Sequence, residues 1–224
     1  MSDREFTVLR RQMIARIAAR TELVTSRLGK ASLDRRVLNV MAKVPRHDFV
    51  RRGLQAFAYD DMPLPSGCGK TISQPFIVAL MTDLLELQST DNVLEVGTGL
   101  GYQTAILAAL ACHVYSIELI EDLAIDARMR LARQGCRNVE VRVGDGHAGW
   151  SDHAPFDKII VAAAPVLIPP ALVCQLVAGG KMVVPVGPPD EQQLLLVEKN
   201  SNDRVSTREI LPVRFSELEQ TETR

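Results

Sequence analysis

From residue 92 onward, apolar and polar residues follow two different patterns in turn. Short apolar runs predict strands, and apolar residues at three- and four-residue spacing predict helices between them. The predicted strands are 92–97, 113–118, 139–144, 157–163 and 181–187, and the predicted helices are 102–111, 122–135 and 169–177. This order is typical of an α/β fold with a doubly wound, mostly parallel sheet. Two further runs, 193–199 and 205–215, predict an antiparallel hairpin at the edge of that sheet.

Before residue 92, apolar residues recur only at the three- and four-residue spacing of helices. Apolar spacing predicts a helix over residues 4–29 ending at Gly29, and a second helix over 35–43 that Ser32 would cap before Pro45. Residues 59–75 contain three prolines and two glycines, which predicts a loop with a fixed path. We therefore expect one compact unit with two parts. They are an N-terminal helical cover with a loop (1–75) and an α/β core (76–224), which begins with a helix over 76–87.

Composition excludes several classes of protein. The 26 basic and 27 acidic residues nearly cancel, so the chain lacks the basic excess of a nucleic-acid binder. Its four cysteines form no CxxC pair and its four histidines no HxxxH pair, so we expect no metal site. No apolar run reaches the ~20 residues of a membrane span, and the N-terminus is charged. We expect a cytoplasmic monomer that binds neither membrane nor nucleic acid.

A glycine-rich turn is the clearest chemical signal. The strand that contains Glu95 runs into Gly97, Thr98, Gly99 and Gly101. In a doubly wound sheet such a turn lies where ligands bind, and glycine lets the backbone approach a ligand closely. A dinucleotide site has the spacing GxGxxG, whereas this turn has GxGxG. The spacing therefore disfavours a nicotinamide cofactor.

Acidic residues also follow the next two predicted strands. Glu118 ends the strand at 113–118, where its carboxylate could accept hydrogen bonds from the two hydroxyls of a ribose. Asp145 and Gly146 follow the strand at 139–144, where the acid could reach an adenine edge. Three strand ends in order, each with a suitable group, predict a nucleoside-containing ligand.

Several motifs resemble those of bacterial protein-L-isoaspartate O-methyltransferases. The similarity covers roughly residues 35–215, and the segment Thr71–Pro75 is its most specific part. The matching segments are 44–50, 59–61, 69–75, 94–105, 144–150, 155–157, 163–165, 185–187 and 213–215. The resemblance implies a Rossmann-like class I methyltransferase fold with S-adenosylmethionine as the cofactor and S-adenosylhomocysteine as the product. It implies cofactor-binding roles for Glu95, Gly97, Thr98, Gly99, Gly101, Tyr102, Gln103, Glu118, Asp145 and Gly146.

The resemblance also implies a reaction. Members of this family methylate the α-carboxylate of isoaspartyl residues in damaged proteins and peptides, and the ester then closes to a succinimide that reopens partly to aspartate. Ser73 is the implied catalytic residue, with Asp61, Thr71 and Ile72 beside the substrate. A carboxylate is already ionised at pH 7, so Ser73 needs only to orient it. Ser73 could also cap the following helix.

Some residues depart from the family pattern. Ser66 stands where the family usually has an apolar residue, and Lys70 stands where glutamine is common. Ser216-Glu217 follows Arg214-Phe215, where the family usually has a proline. Three alternatives therefore stay open: a related carboxyl methyltransferase with another peptide or small-molecule acceptor, a non-catalytic S-adenosylmethionine sensor, and, least favoured, a nicotinamide oxidoreductase.

Overall fold

The structure is a computed structural model that describes residues 1–220, so the last four residues of the predicted core segment 76–224 lie outside the described part. The helices are α1 (Asp3–Glu22), α2 (Thr25–Leu28), α3 (Arg35–Met41), α4 (Pro75–Leu84), α5 (Tyr102–Ala108), α6 (Glu121–Arg133) and α7 (Pro170–Cys174). The strands are β1 (Leu64–Gly67), β2 (Lys70–Ile72), β3 (Asn92–Val96), β4 (His113–Glu118), β5 (Val139–Val143), β6 (Phe156–Val161), β7 (Leu176–Val186), β8 (Gln192–Lys199) and β9 (Val205–Val213). Short 3-10 helices occupy Arg46–Asp48, Gln55–Phe57, Gly146–Ala148 and Ser151–His153.

Seven strands form the main sheet, in the order β5-β4-β3-β6-β7-β8-β9. The five strands from β5 to β7 pair in parallel, and β8 and β9 add antiparallel pairs at one edge. The predicted fold class and the edge hairpin are therefore confirmed. The chain winds outward from β3 through β4 to β5 and then returns to β6 on the other side of β3. This reversal opens a crevice at the carboxyl ends of the strands, where α/β proteins bind ligands.

The N-terminal helices cover the core. Helix α1 begins with a capping box between Ser2 and Glu5 and buries Phe6, Met13 and Ile17 in the same hydrophobic cluster as α4. The predicted helix over 4–29 is in fact two helices, because the chain turns between α1 and α2. The predicted end at Gly29 is confirmed, since Gly29 closes α2 with a φ of 71°.

The cap of α3 was predicted at the wrong residue. The helix begins at Arg35, and the Asp34 side chain accepts a hydrogen bond from the Arg36 backbone N–H at 2.7 Å. Asp34 immediately precedes the first helical residue, which is the position from which a side chain reaches the free N–H groups. Ser32 lies two residues too early to do so.

The segment 59–75 contains a hairpin where a loop was predicted. Strands β1 and β2 pair antiparallel, with Leu64 opposite Ile72. The strands are short and β1 contains Pro65, so the apolar pattern carried no strand signal. Ser73 does not cap α4: the cap residue is Gln74, without a side-chain bond, and the Asp61 carboxylate accepts from the Phe76 N–H at 2.9 Å.

Among residues 1–220, no helix combines the length and the apolar character that crossing a membrane requires.

Candidate active site

The glycine turn after β3 is built by backbone hydrogen bonds. Gly97 donates its N–H to the Ile117 carbonyl at 2.8 Å, and Gly101 donates to the Thr98 carbonyl at 2.9 Å. Gly97 and Gly101 have φ values of 92° and 90°, which side chains disfavour. A Cβ on Gly101 would lie 3.2 Å from Cγ of Leu131, so glycine also lets α6 pack closely. The turn therefore needs glycine for its own conformation and for packing.

Glu118 fixes the turn from the neighbouring strand. Its Oε2 accepts a hydrogen bond from the Gly99 N–H at 2.7 Å, and its Oε1 accepts one from the Ile120 N–H at 3.0 Å. The residue is only 7% exposed. Each carboxylate oxygen has two lone pairs, so each can accept one further hydrogen bond. Glu118 can therefore hold a ligand that carries two adjacent hydroxyl groups.

A cavity, which we call the glycine-loop cavity, lies at this end of the sheet. Its lining is Lys70, Thr71, Val96, Gly97, Gly99, Ile117, Glu118, Leu119, Ile120, Leu123, Gly144, Gly146, Ala162, Ala163 and Ser216–Glu219. A Cβ on Gly146 would lie 2.2 Å from Cγ1 of Val96, so only glycine fits there.

A second cavity, which we call the Ser73 cavity, adjoins the first. Its lining is Arg20, Val24, Pro63, Thr71, Ser73, Gln74, Phe76, Ile77, Ala162, Leu211–Phe215 and Ser216. Thr71, Ala162 and Ser216 line both cavities. The structure therefore brings predicted catalytic Ser73 to a cavity that borders the predicted cofactor site.

The buried residue Arg46 holds Ser73 in place. Its guanidinium is fully buried and donates to the Ala58 and Ser73 carbonyl oxygens, each at 2.8 Å. It also lies 4.7 Å from the centre of the Tyr102 ring, in a cation–π contact. Burial lowers the pKa of Arg46 to about 10, so the group stays charged at neutral pH. Sequence reasoning missed Arg46, although it lies in a segment that matched the family.

The three predicted substrate neighbours have different environments. Thr71 lines both cavities. The Asp61 carboxylate bonds to Gln74 Nε2 at 2.8 Å and the Phe76 N–H, and pairs with Arg20 at 3.3 Å. The Ile72 side chain packs in the hydrophobic core and is 8% exposed. Asp61 and Ile72 thus shape the segment that contains Ser73, and their contact with a substrate stays a prediction.

Glu95 lies behind the cavity and not in its lining. Its Oε2 accepts hydrogen bonds from the Thr104 and Ser116 hydroxyls, each at 2.6 Å, and the Thr98 hydroxyl lies 2.6 Å from that of Ser116. Burial raises the pKa of Glu95 to about 7. Glu95 and Thr98 therefore brace the glycine turn from within the protein.

Thr98, Gly101 and three further predicted cofactor residues are also absent from the cavity lining. Tyr102 is buried against Phe49. Gln103 donates to the Thr82 hydroxyl at 2.8 Å. The Asp145 carboxylate accepts from the His147 N–H at 2.8 Å. Direct ligand contacts by these side chains stay predictions, whereas Gly97, Gly99, Glu118 and Gly146 lie in the lining.

Comparison with known proteins decides the family. The family model described as "Protein-L-isoaspartate(D-aspartate) O-methyltransferase" matches residues 19–223. The chain belongs to this family.

Curated members of the family align along almost the whole chain. Protein-L-isoaspartate O-methyltransferase 1 of Polaromonas sp. is 65% identical over 222 residues, which cover 99% of this chain and 94% of the relative. Protein-L-isoaspartate O-methyltransferase 2 of Syntrophobacter fumaroxidans is 53% identical over 97% of this chain and 88% of the relative.

Solved structures share the fold. A protein-L-isoaspartate O-methyltransferase superposes with a TM-score of 0.79 at 24% identity, covering 93% of this chain and 65% of that one. A Plasmodium falciparum protein described as a putative member, in complex with S-adenosyl-L-homocysteine, has a TM-score of 0.73 at 23% identity. The superposition covers 84% of this chain and 92% of the Plasmodium falciparum chain. At this identity the likeness supports the fold class alone.

A segment at the C-terminal end of the described chain, which we call the strap, lines both cavities of this methyltransferase-family protein. We define it as residues 215–219. The Gln192 side chain donates a hydrogen bond to the Phe215 carbonyl and accepts one from the Phe215 N–H. The Ala164 N–H donates to the Ser216 carbonyl, and the Ala164 carbonyl accepts from the Leu218 N–H. Lys70 pairs with Glu219 at 2.6 Å, so the lysine that replaces the usual glutamine joins the hairpin to the strap. The apolar pattern carried no signal for these long-range contacts.

His47 joins the N-terminal helix to Tyr59, at the start of the 59–75 segment. Its ring stacks on Phe6 with centres 3.7 Å apart, and Nδ1 lies 2.7 Å from the Tyr59 hydroxyl. Burial lowers the pKa of His47. Within residues 1–220, no group of three or more His, Cys, Asp or Glu side chains is placed to hold a metal ion.

Proposed function

We propose that this protein transfers the methyl group of S-adenosylmethionine to the α-carboxylate of L-isoaspartyl residues in damaged proteins and peptides, which starts repair through a succinimide. One observation carries the proposal: the Ser73 cavity meets the glycine-loop cavity at Thr71, Ala162 and Ser216. An acceptor beside Ser73 thus borders a methyl donor in the other cavity. Membership of the family and the names of the curated relatives support this acceptor.

The residues of the glycine-loop cavity suit a nucleoside cofactor. The free lone pairs of Glu118 match two ribose hydroxyls, and the open backbone at Gly99 allows close approach. Leu119, Ile120 and Leu123 supply an apolar wall for a flat base. When bound, S-adenosylmethionine supplies an electrophilic methyl group on a sulfonium. The remaining predicted cofactor residues, Glu95, Thr98, Gly101, Tyr102, Gln103 and Asp145, would act by shaping and bracing this cavity.

The acceptor side needs positioning more than acid–base chemistry. The carboxylate nucleophile is ionised at neutral pH, so no base must remove a proton. Ser73 would donate its hydroxyl hydrogen to one carboxylate oxygen and leave the other directed at the methyl group. Arg46 fixes the backbone of Ser73, and alignment of the reacting groups supplies much of the rate gain. Thr71 would contact the acceptor at the junction, with Asp61 and Ile72 supporting the segment.

The methyl ester leads to repair without further help from the protein. The backbone nitrogen of the following residue attacks the ester carbonyl, methanol leaves, and a succinimide forms. Water then opens the succinimide partly to normal aspartate. An enzyme that makes the ester therefore needs no site for the later steps.

The assembly and location of the protein follow as smaller proposals. One chain supplies the whole lining of both cavities. We therefore propose a monomer, which light scattering after size exclusion tests by the mass of one chain against two. A cytoplasmic location is tested by fractionating the cells that make it.

A product analysis tests the proposed repair. An isoaspartyl peptide is incubated with the protein and S-adenosylmethionine, and the products are separated by reversed-phase chromatography with mass detection. We expect a methyl ester 14 Da heavier than the peptide, then the succinimide, then the normal aspartyl peptide. Conversion at the rate of the reaction without protein would overturn the proposal.

A further inference from the structure

Arg214 follows the last residue of β9 and lines the Ser73 cavity. The residue is exposed, and no carboxylate in residues 1–220 forms an ion pair with its guanidinium. Arg20, the other charged residue of the lining, pairs with Asp61 at 3.3 Å. Arg214 therefore contributes an uncompensated positive charge to a lining that contains no carboxylate.

Two more arginines lie on α2 and β9, elements that adjoin residues of this lining. Helix α2 packs against β9, and Arg208 donates to the Arg27 carbonyl oxygen at 2.9 Å. Both side chains are exposed. Val24, immediately before α2, belongs to the cavity lining. The full chain has a net charge of −1, so these positive charges reflect local placement and not an overall basic excess.

We infer that the Ser73 cavity selects isoaspartyl acceptors whose neighbouring residues are acidic, with Arg214 as the main specificity-determining residue. This inference rests on the proposed function and names its substrate class. An acceptor polypeptide that presents its isoaspartyl carboxylate to Ser73 must place its neighbouring residues at the mouth of the cavity. Opposite charges attract there over a Debye length of ~8–10 Å, so one exposed arginine can act on flanking side chains without a fixed contact.

Three peptides measure this preference. Heptapeptides with one central isoaspartyl residue carry two glutamates, two glutamines or two lysines as neighbours, and kcat/KM is determined for each. We expect kcat/KM to fall in the order glutamate, glutamine, lysine, by about two- to fivefold for each change, the scale of an exposed ion pair. The spread should shrink as salt is raised.

Two variants assign the preference to a residue. R214Q removes the charge from the cavity and should bring the ratio between glutamate and glutamine peptides close to 1. R204Q is the matched control, because Arg204 is an exposed arginine at the opposite end of β9. The two positions are roughly 30 Å apart along the strand. R204Q should retain the wild-type ratio.

Other outcomes would overturn the inference. Equal rates for the three peptides, or a preference that R214Q retains, would show that Arg214 does not select acidic neighbours. An equal loss on all three peptides in R214Q would show that Arg214 holds the reacting carboxylate or the fold. If wild-type protein methylated none of the isoaspartyl peptides, the proposed function itself would fail, which is a distinguishable result.

Discussion

The buried guanidinium of Arg46 donates a 2.8 Å hydrogen bond to the backbone carbonyl of Ser73. The same group contacts the ring of Tyr102, the first residue of α5 after the glycine turn. Arg46 thus touches both the segment that presents the acceptor-side serine and the helix that follows the predicted cofactor turn.

Replacing Arg46 by lysine should lower kcat about 10- to 100-fold, because a misplaced reacting group costs a rate factor of this order. Lysine keeps the charge but cannot present a planar fork to the Ser73 and Ala58 carbonyls. The Kd for S-adenosylhomocysteine, measured by calorimetry, should change less than threefold by comparison. Arg16→Lys is the control, since Arg16 pairs with Asp60 at the surface. A lower melting temperature with unchanged kcat would give Arg46 a structural role only.

Replacing Ser73 by alanine should reduce kcat about 10- to 100-fold, the loss of a hydrogen bond to a charged group worth ~1.5–3 kcal/mol. Cofactor affinity should be nearly unchanged, because Ser73 lines the acceptor cavity and not the glycine-loop cavity. Steady-state kinetics and calorimetry separate the two effects. Ser151→Ala, at an exposed serine, should leave both unchanged. Loss of cofactor binding in the Ser73 variant would disprove the assigned role.

Replacing Glu118 by alanine should have the reverse effect. The substitution removes the proposed hydroxyl acceptors and leaves the Gly99 and Ile120 N–H groups unpaired. Cofactor binding should weaken by ~1–3 kcal/mol, measured as Kd by calorimetry. Glu121→Ala is the matched control, because Glu121 is exposed in the first turn of α6. An unchanged Kd for the Glu118 variant would exclude it from the cofactor site.

Glu95 should make stability depend on pH. Burial raises its folded-state pKa to about 7 from the usual value of 4.5, so the folded protein holds the proton more tightly than the unfolded chain. Its contribution is fully present below pH 4.5 and is lost as pH rises through 7. The loss is on the order of 3 kcal/mol.

Urea unfolding of the wild type and Glu95→Gln between pH 4.5 and 8 tests this expectation. Glutamine is neutral throughout, so the difference between the two proteins isolates the Glu95 titration from that of other groups. The variant should gain stability relative to the wild type as pH rises from 4.5 to 8. A constant difference across this range would mean that Glu95 does not titrate there.

The parallel core was predictable because each strand is an apolar run followed by a helical pattern. The limits of β4, for example, agree with the predicted 113–118. The hairpin of β1 and β2 was not predictable. Strand β1 has four residues, one of which is Pro65, and β2 has three, so neither holds enough positions for an alternating pattern. The cap at Asp34 was missed because Ser32 and Asp34 are both good capping residues, and only geometry chooses between them.

The site was predictable where backbone position decides the function. The glycines and Glu118 lie at strand ends, and these positions can be read from the chain order alone. Glu95 and Tyr102 were assigned to the cofactor from adjacent positions, yet their side chains turn into the protein. The orientation of a side chain at the junction of strand and helix depends on tertiary packing. The contacts of Arg46 and of the strap were not predicted for the same reason, because they join segments distant in sequence.

One assay tests the central claim most directly. Tritiated S-adenosylmethionine is mixed with the protein and either an isoaspartyl peptide or the same peptide with normal aspartate, and base-labile label in the peptide is counted. We predict rapid labelling of the isoaspartyl peptide and background labelling of the aspartyl peptide. Equal labelling of the two peptides, or background labelling of both, would contradict the account.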